Sequence, residues 1–304
     1  MSSTSPLNSV IIRISGEIPI KSEAVRYIWE KKLYHRVVNK VRELGDVERR
    51  RGYIFIRTSK PYDVINLLKP VFGISSLIPA RVCESDLEEI KESALLIAKH
   101  YYSLMIREGI KPQSFAIISK KVVSSDFGTT EIRYDVGRYV KENLGLGVNL
   151  DNPDIPIYIE VRGSEAFIYT EIYHTAGGLP IGVQERVILL MGFDHESIAS
   201  LWLLMKRGCP ITAVHFAICD DQSVTKLSDL LNNIFNKSCE DMCRLRIIPL
   251  KTELNKIISS VPKKYSWYIL LKYIVNLSEK IAREEKAKGI AIGLRGILDE
   301  KMLS

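Results

Sequence analysis

The stretch Val187-Ile188-Leu189-Leu190-Met191-Gly192-Phe193-Asp194-His195-Glu196-Ser197 decides the fold of the last third of the chain. Its first five residues are an unbroken apolar run, as in a strand buried on both faces. The polar turn that follows carries Asp and Ser, which cap helices. A helix is therefore expected from about Ser197 to Arg207, with Gly208 as its stop. The alternation continues downstream. Ile211–Phe216 reads as a strand, Leu227–Phe235 as a helix and Arg244–Pro249 as a strand. A long helix over 265–288 and a final strand, Gly289–Ile292, follow. Alternating strands and helices imply a parallel sheet with right-handed crossovers, hence an α/β, Rossmann-like domain.

Upstream the pattern is α+β. Val10–Ile14 reads as a strand, and Val25, Trp29, Leu33, Val37 and Val41 recur at steps of four, as on an amphipathic helix. Gly45-Asp46 breaks that helix, Tyr53–Ile56 is a second strand, and Pro61 opens a helix through Leu68. In the next block Ser85-Asp86-Leu87-Glu88 reads as a capping box with Ser85 as the cap. Its helix runs to Gly109, and Ser114–Ser119 is a strand. Thr129 or Thr130 caps a helix through Leu144, and Ile155–Arg162 with Ala166–Tyr173 forms a hairpin around Gly163-Ser164.

The bulk numbers are those of a soluble globular chain: 304 residues, 46% hydrophobic and 26% charged. A net charge of +7 favours an anionic partner. No apolar run reaches the roughly 18 residues of a membrane span, and MSSTSPLNSV lacks a signal-peptide core, so a cytoplasmic location is expected. The five cysteines, Cys83, Cys209, Cys219, Cys239 and Cys243, are scattered and do not form a disulfide framework. Cys239 and Cys243 could share a helical face, but no second Cys/His pair sits at zinc spacing, and no metal site is assigned.

Seven short stretches then fall in one order: Val71-Phe72-Gly73-Ile74, Asn152-Pro153-Asp154, Gly177-Gly178-Leu179-Pro180, Met205-Lys206-Arg207-Gly208, Ala213-Val214-His215-Phe216, Val261-Pro262-Lys263-Lys264-Tyr265 and Ser278-Glu279-Lys280-Ile281-Ala282. With them the chain resembles the tRNA 4-thiouridine synthetase (tRNA sulfurtransferase) family from Ile11 to about Gly293. The resemblance implies an N-terminal ferredoxin-like domain over 1–75, a THUMP domain over 76–183 and a PP-loop domain over 184–304. It also implies that the first two domains hold the acceptor end of tRNA. The third would adenylate uridine 8 with ATP and Mg²⁺ before sulfur replaces the oxygen. Relatives are often homodimers.

On that resemblance, Lys120 and Lys121 occupy the place of the THUMP basic cluster, with Arg133, Arg138 and Arg162 as further RNA contacts. Val122-Val123 then departs from the family's polar continuation. The N-terminal block adds Arg49-Arg50-Arg51, with Arg57 further along, and Lys31, Lys32, Arg36 and Lys40 on the preceding helix. Each phosphate contact would release counterions and make binding salt-dependent.

The family's PP-loop reads Ser-Gly-Gly-x-Asp-Ser, a pattern that lets backbone amides and a helix start hold phosphate. Counted back without gaps from Lys206-Arg207-Gly208, it falls on Gly192, Phe193, Asp194, His195, Glu196 and Ser197, where only Ser197 matches. A gapped alternative keeps Gly192-Phe193-Asp194 as a Gly-x-Asp core but needs two extra residues after it, so the motif is broken either way. Phe193 places a ring where backbone must meet pyrophosphate. Asp194 adds a negative charge whose repulsion of a phosphate at 4–5 Å is about 3–4 kcal/mol before screening. Mg²⁺ on Asp194, Glu196 and His195 would rescue the site. The family's Thr-Gly-Glu-x-x-Gly-Gln segment is also eroded: only Gly293 remains, with Arg295 beyond it. The chain stops at Ser304, short of the region that carries a sulfur-transfer cysteine in active relatives.

The expectation is a tRNA-binding protein with a degenerate nucleotide loop, acting as a paralogue or as the non-catalytic half of a complex. An active, ATP-dependent tRNA sulfurtransferase is the alternative, and a scaffold without an RNA role the third. The first is tested by salt-sensitive tRNA binding without ATP turnover.

Overall fold

The computed structural model describes residues 5–121, 128–218 and 222–293. Two compact units emerge. One gathers residues through Ile14, Tyr34–Lys69 and Ser75–His174; the other gathers Ser15–Leu33, Pro70–Ile74 and the chain from Thr175 onward. In chain order the first elements are β1 (Ser9–Ile14), α1 (Glu23–Val41), β2 (Asp46–Arg50), β3 (Tyr53–Arg57), α2 (Pro61–Leu68), β4 (Ile74–Glu84) and α3 (Leu87–Arg107). Then come β5 (Ser114–Lys121), α4 (Thr129–Leu144), β6 (Gly147–Val148), β7 (Ile155–Arg162), β8 (Glu165–Tyr169) and β9 (Tyr173–His174).

In the first unit these strands form one sheet, ordered β2-β3-β1-β4-β8-β7-β5-β6, with β9 paired to β4. Ile90, Ala94 and Ile97 of α3 and Ile132, Val136 and Val140 of α4 bury against Phe115, Ile157 and Ile159 of the sheet. A second cluster joins Ile11, Phe55, Ile78 and Phe167.

The second unit continues with β10 (Val187–Leu190), α5 (His195–Lys206), β11 (Ile211–Ala217) and α6 (Gln222–Ser238). It ends with β12 (Arg244–Pro249), α7 (Lys251–Ser260), α8 (Lys263–Glu284) and β13 (Gly289–Ile292). The sheet order is β12-β11-β10-β13, and each neighbouring pair is parallel. The parallel α/β expectation therefore holds. No helix among the described residues is long and apolar enough to cross a membrane.

Several local expectations are corrected. Asp86, not Ser85, caps α3, accepting from the Glu88 and Glu89 amides at 2.9 and 3.1 Å. The cap of α4 is Gly128, whose N–H donates to Glu131; Thr129 is already helical. Strand β2 was not expected, because its sequence Asp-Val-Glu-Arg-Arg has no apolar alternation; it is a charged edge, hairpinned to β3 over Arg51-Gly52. Strand β4 was hidden by Pro79. That residue falls between the β9 register at Ser76 and Leu77 and the β8 register starting at Arg81, so the ladders on that side do not call on its missing N–H. Helix α7 was not expected; its apolar stripe is short, Leu254, Ile257 and Ile258, and none of its residues is buried. Cys239 and Cys243 flank a short 3-10 turn and are buried in the core of the second unit rather than sharing a helix face.

One buried carboxylate ties the first sheet together. Glu160 of β7 is 3% exposed and accepts from Arg13 of β1, from Tyr169 at 2.7 Å and from Arg162 at 2.7 Å. Burial works against its charge, but the Arg162 and Tyr169 hydrogen bonds and the Arg13 charge outweigh burial and hold the carboxyl below its ordinary range. With the folded pKa below the unfolded value of about 4.3, the stabilisation is complete above that pH and is lost as pH falls through the folded value. Glu160→Gln should lower stability by about 3 kcal/mol near pH 7 and blunt the loss on acidification below about pH 4. Thermal unfolding followed by circular dichroism across that range measures both.

Candidate functional site

In the order β12-β11-β10-β13 the direction of strand succession reverses at β10. Open α/β sheets bind ligands at the carboxyl ends of their strands, at such a reversal. The turn after β10, Met191 to Asp194, and Gly293 after β13 lie at this point. They meet closely: a Cβ on Gly293 would come within 2.6 Å of the Glu196 carbonyl and 2.7 Å of the Ser197 nitrogen. Gly293 is thus the residue that lets β13 end against the first turn of α5.

The turn itself is satisfied by its own side chains. Asp194 is the N-cap of α5, and its Oδ1 accepts from the Ser197 N–H at 2.7 Å. The Ser197 hydroxyl donates to Asp194 Oδ2 at 3.0 Å and accepts from the Gly192 N–H at 3.0 Å. Desolvation opposes the Asp194 charge, yet the Ser197 amide and hydroxyl, with the nearby His195, hold its pKa below the ordinary range. Gly192 makes room, since a Cβ there would sit 2.1 Å from Asp194 Oδ2. Phe193 is 55% exposed, and its ring meets His215 edge-on with centroids 4.7 Å apart. His215 is buried and bonds through Nδ1 to the Met191 carbonyl at 2.8 Å, which places a proton on that nitrogen.

The far end of α5 is held by a glycine-rich strap. Leu179 N–H donates to the Lys206 carbonyl at 2.9 Å, and Gly182 N–H to the Gly208 carbonyl at 2.8 Å. Gly73 N–H donates to the Gly177 carbonyl at 2.9 Å. Gly73, Gly177, Gly178, Gly182 and Gly208 all have positive φ. A Cβ on Gly178 would lie 2.3 Å from the Lys206 carbonyl oxygen, and one on Gly208 would lie 2.7 Å from Val183. Gly177-Gly178-Leu179-Pro180 is therefore a packed clamp and not a loose linker.

The basic residues separate into groups. Arg133 and Arg138 of α4 line a groove of about 690 Å³ with Lys141, Tyr134, Ile118 and Leu150. Lys120 is exposed at the end of β5, one residue beyond the groove-lining Ser119. Arg138 pairs with Glu142 at 3.0 Å, and Arg133 donates to the Thr129 carbonyl. Arg162 is instead engaged with Glu160 and lies 4.4 Å over the Tyr53 ring. Arg50 pairs with Glu165 and, at 2.7 Å, with Glu48, and lies 4.2 Å over Phe55. Burial works against the Arg50 charge, but hydrogen bonds to Glu165, Tyr53 and Glu48 outweigh it and raise the pKa. Arg49 lies on β2 and Arg51 at the hairpin tip, both exposed. The side chain of Lys121, and Val122, Val123, Cys219 and Arg295, lie outside the described residues.

The sequence reading missed Lys141, Tyr134 and the apolar floor. The signal was present: Thr130, Arg133, Tyr134, Gly137, Arg138 and Lys141 recur at three- and four-residue steps, one face of α4. Cys209 is half-buried beside Arg207, and burial pushes its thiol pKa up despite that charge.

Three family models match: the ThiI ferredoxin-like domain over residues 9–77, the THUMP domain over 84–171 and the thiamine biosynthesis protein (ThiI) domain over 182–294. A probable tRNA sulfurtransferase of Methanothermobacter thermautotrophicus is 30% identical over 93% of this chain and 73% of its own length. One from Thermococcus kodakarensis is 30% identical over 94% of this chain and 76% of its own. Among solved structures, a 4-thiouridine synthetase–RNA complex with bound ATP superposes with a TM-score of 0.82 at 28% identity, covering 94% of this chain and 73% of that one. A Pyrococcus horikoshii protein superposes at 0.73, also with 28% identity, covering 98% and 89%.

Three substitutions at two positions probe the ends of α5. Gly178→Ala should cost about 3 kcal/mol through strain and the close carbonyl, read as a lower thermal midpoint. Asp194→Ala should cost about 1 kcal/mol by removing the cap, whereas Asp194→Asn, which keeps an acceptor, should cost less in the same assay.

Proposed function

Because the chain belongs to the tRNA sulfurtransferase family, we propose that it is a tRNA-binding member with a degenerate nucleotide turn, which presents the acceptor end of tRNA without activating a uridine. The observation that carries this reading is the Asp194 carboxylate on the Ser197 amide. That amide is the donor a phosphate at a helix start would use. The chain's own anion has taken it, and Phe193 stands where the family's glycines would admit pyrophosphate. ATP and Mg²⁺ do not fit the turn in this arrangement: a triphosphate would have to displace Asp194, and the carboxylate that would serve a metal is bound to Ser197.

The RNA side of the proposal draws on the solved 4-thiouridine synthetase, which carries RNA. Under this reading residues 1–75, 76–183 and 184–304 act as ferredoxin-like, THUMP and PP-loop-like domains in the cytoplasm. Lys120, Arg133 and the neighbouring Lys141 are the leading phosphate contacts, with Arg138, which pairs with the exposed Glu142, on the same helix face. Lys121 follows Lys120 in the chain, and Arg49 and Arg51 add charge at the opposite, β2 edge of the sheet. Arg50 and Arg162 contribute less, since carboxylates already neutralise them. A catalytic partner protein would supply the chemistry; a homodimer of this chain would carry the same closed turn in both copies and would serve RNA binding only.

A second reading, an active tRNA uridine sulfurtransferase using an altered loop, is favoured by the name its relatives bear. Calorimetry on one preparation, first with ATP–Mg²⁺ and then with tRNA, separates the two. The proposed function gives a tRNA isotherm and no ATP isotherm at millimolar nucleotide. Three to four phosphate contacts give a slope of log affinity on log salt of about −3. Pyrophosphate released from ATP in the presence of tRNA and a sulfur donor would reverse the assignment.

A further inference from the structure

The segment Lys263 to Val275, which opens α8, contains three lysines, no acidic residue and four aromatic residues. With α7 included, residues 251–275 hold five lysines and one glutamate. Lys264, Tyr265, Trp267, Tyr268, Leu271 and Lys272 follow the spacing i, i+1, i+3, i+4, i+7, i+8 and so share one face of the helix. All six are exposed, Trp267 by 69% and Tyr268 by 68%, while Ser266, Leu270, Ser278 and Ile281 are buried on the other side. The Lys264 ammonium lies 4.8 Å from the Tyr265 ring centre.

The position of this face follows from the topology. At the C-terminal end of α8, Glu285 meets Thr212 at 3.3 Å and Arg244 at 2.7 Å, near the amino ends of β11 and β12. A helix of 22 residues spans roughly 33 Å, so its first turns lie at the opposite, carboxyl edge of the sheet. That is the edge where the Met191–Asp194 turn lies.

A solvated helix face mixes both signs of charge, and an apolar protein contact depletes lysine. This face does neither. Exposed rings such as Trp267 and Tyr268, set among lysines on a face whose sequence holds no carboxylate, match a partner that is polyanionic and carries flat bases. A second copy of the chain would set lysine against lysine if the face met itself, which disfavours pairing. We infer that the exposed face of α8 is a second RNA-binding surface, which takes unpaired nucleotides of the tRNA by stacking on Trp267 and Tyr268 while Lys264 and Lys272 meet phosphates. The inference rests on the tRNA-binding reading above and adds to it a surface on the second unit.

The test uses the full chain, a fluorescently labelled tRNA transcript and anisotropy. The Trp267→Ala/Tyr268→Ala pair should bind about tenfold more weakly, and the Trp267→Phe/Tyr268→Phe pair, which keeps the rings, within about twofold of the parent. Lys264→Ala/Lys272→Ala should make the salt slope shallower by about 1.5. Unchanged affinity in the alanine pair, with affinity lost in Arg133→Ala/Arg138→Ala, would overturn this inference and leave the tRNA-binding reading standing. No binding by the parent chain would remove both. Should the alanine pair change the sedimentation coefficient but not the tRNA affinity, the face is an interface between copies and the inference fails.

Discussion

The bond from the Leu179 N–H to the Lys206 carbonyl sits at the centre of a clamp on which the second unit depends. The strap that makes it leads within a few residues into β10, and Gly208, at the end of α5, leads into β11. Holding the two together fixes where the two central strands begin. Backbones approach this closely only because glycine stands at each crossing, and because the positive φ at Gly178 and Gly208 costs glycine little. Three of the stretches that carry the family resemblance, around Gly73, Gly178 and Gly208, meet in this one clamp. Their shared order along the chain has a packing cause.

With the strand starts set, their carboxyl ends coincide at the reversal of the sheet. There the helix amides of α5 need an acceptor, and two solutions exist. An external anion can supply it, or a side chain can. Asp194 supplies it from within, and Ser197 closes the loop by bonding both to that carboxylate and to the Gly192 amide. Under the proposed function, a turn stabilised this way would resist an incoming phosphate for two reasons, lost donors and added negative charge.

Net positive charge does not make a binding surface by itself. Arg50 and Arg162 are drawn inward by Glu165, Glu160 and the rings of Phe55 and Tyr53, where they hold the first sheet together. Arg133 and Lys141 have no such carboxylate among the described ion pairs, and with Arg138 they frame a groove with an apolar floor. Charge that is not neutralised locally remains for a phosphate backbone.

By itself the sequence determined the class and order of the domains. Unbroken apolar runs such as Val187–Met191, helix periodicity and glycine stops are local patterns, and local patterns survive without knowledge of partners. It also located the turn at Gly192–Ser197 between strand and helix. Only the tertiary structure decided which basic residues are exposed, since that turns on carboxylates far away in sequence, such as Glu160 for Arg13. The same holds for β4, whose Pro79 is tolerated because its neighbours pair on either side of it, and for β2, a polar edge defined by β3 alone. Pairing and burial are relations between distant segments, and a one-dimensional pattern carries no measure of them.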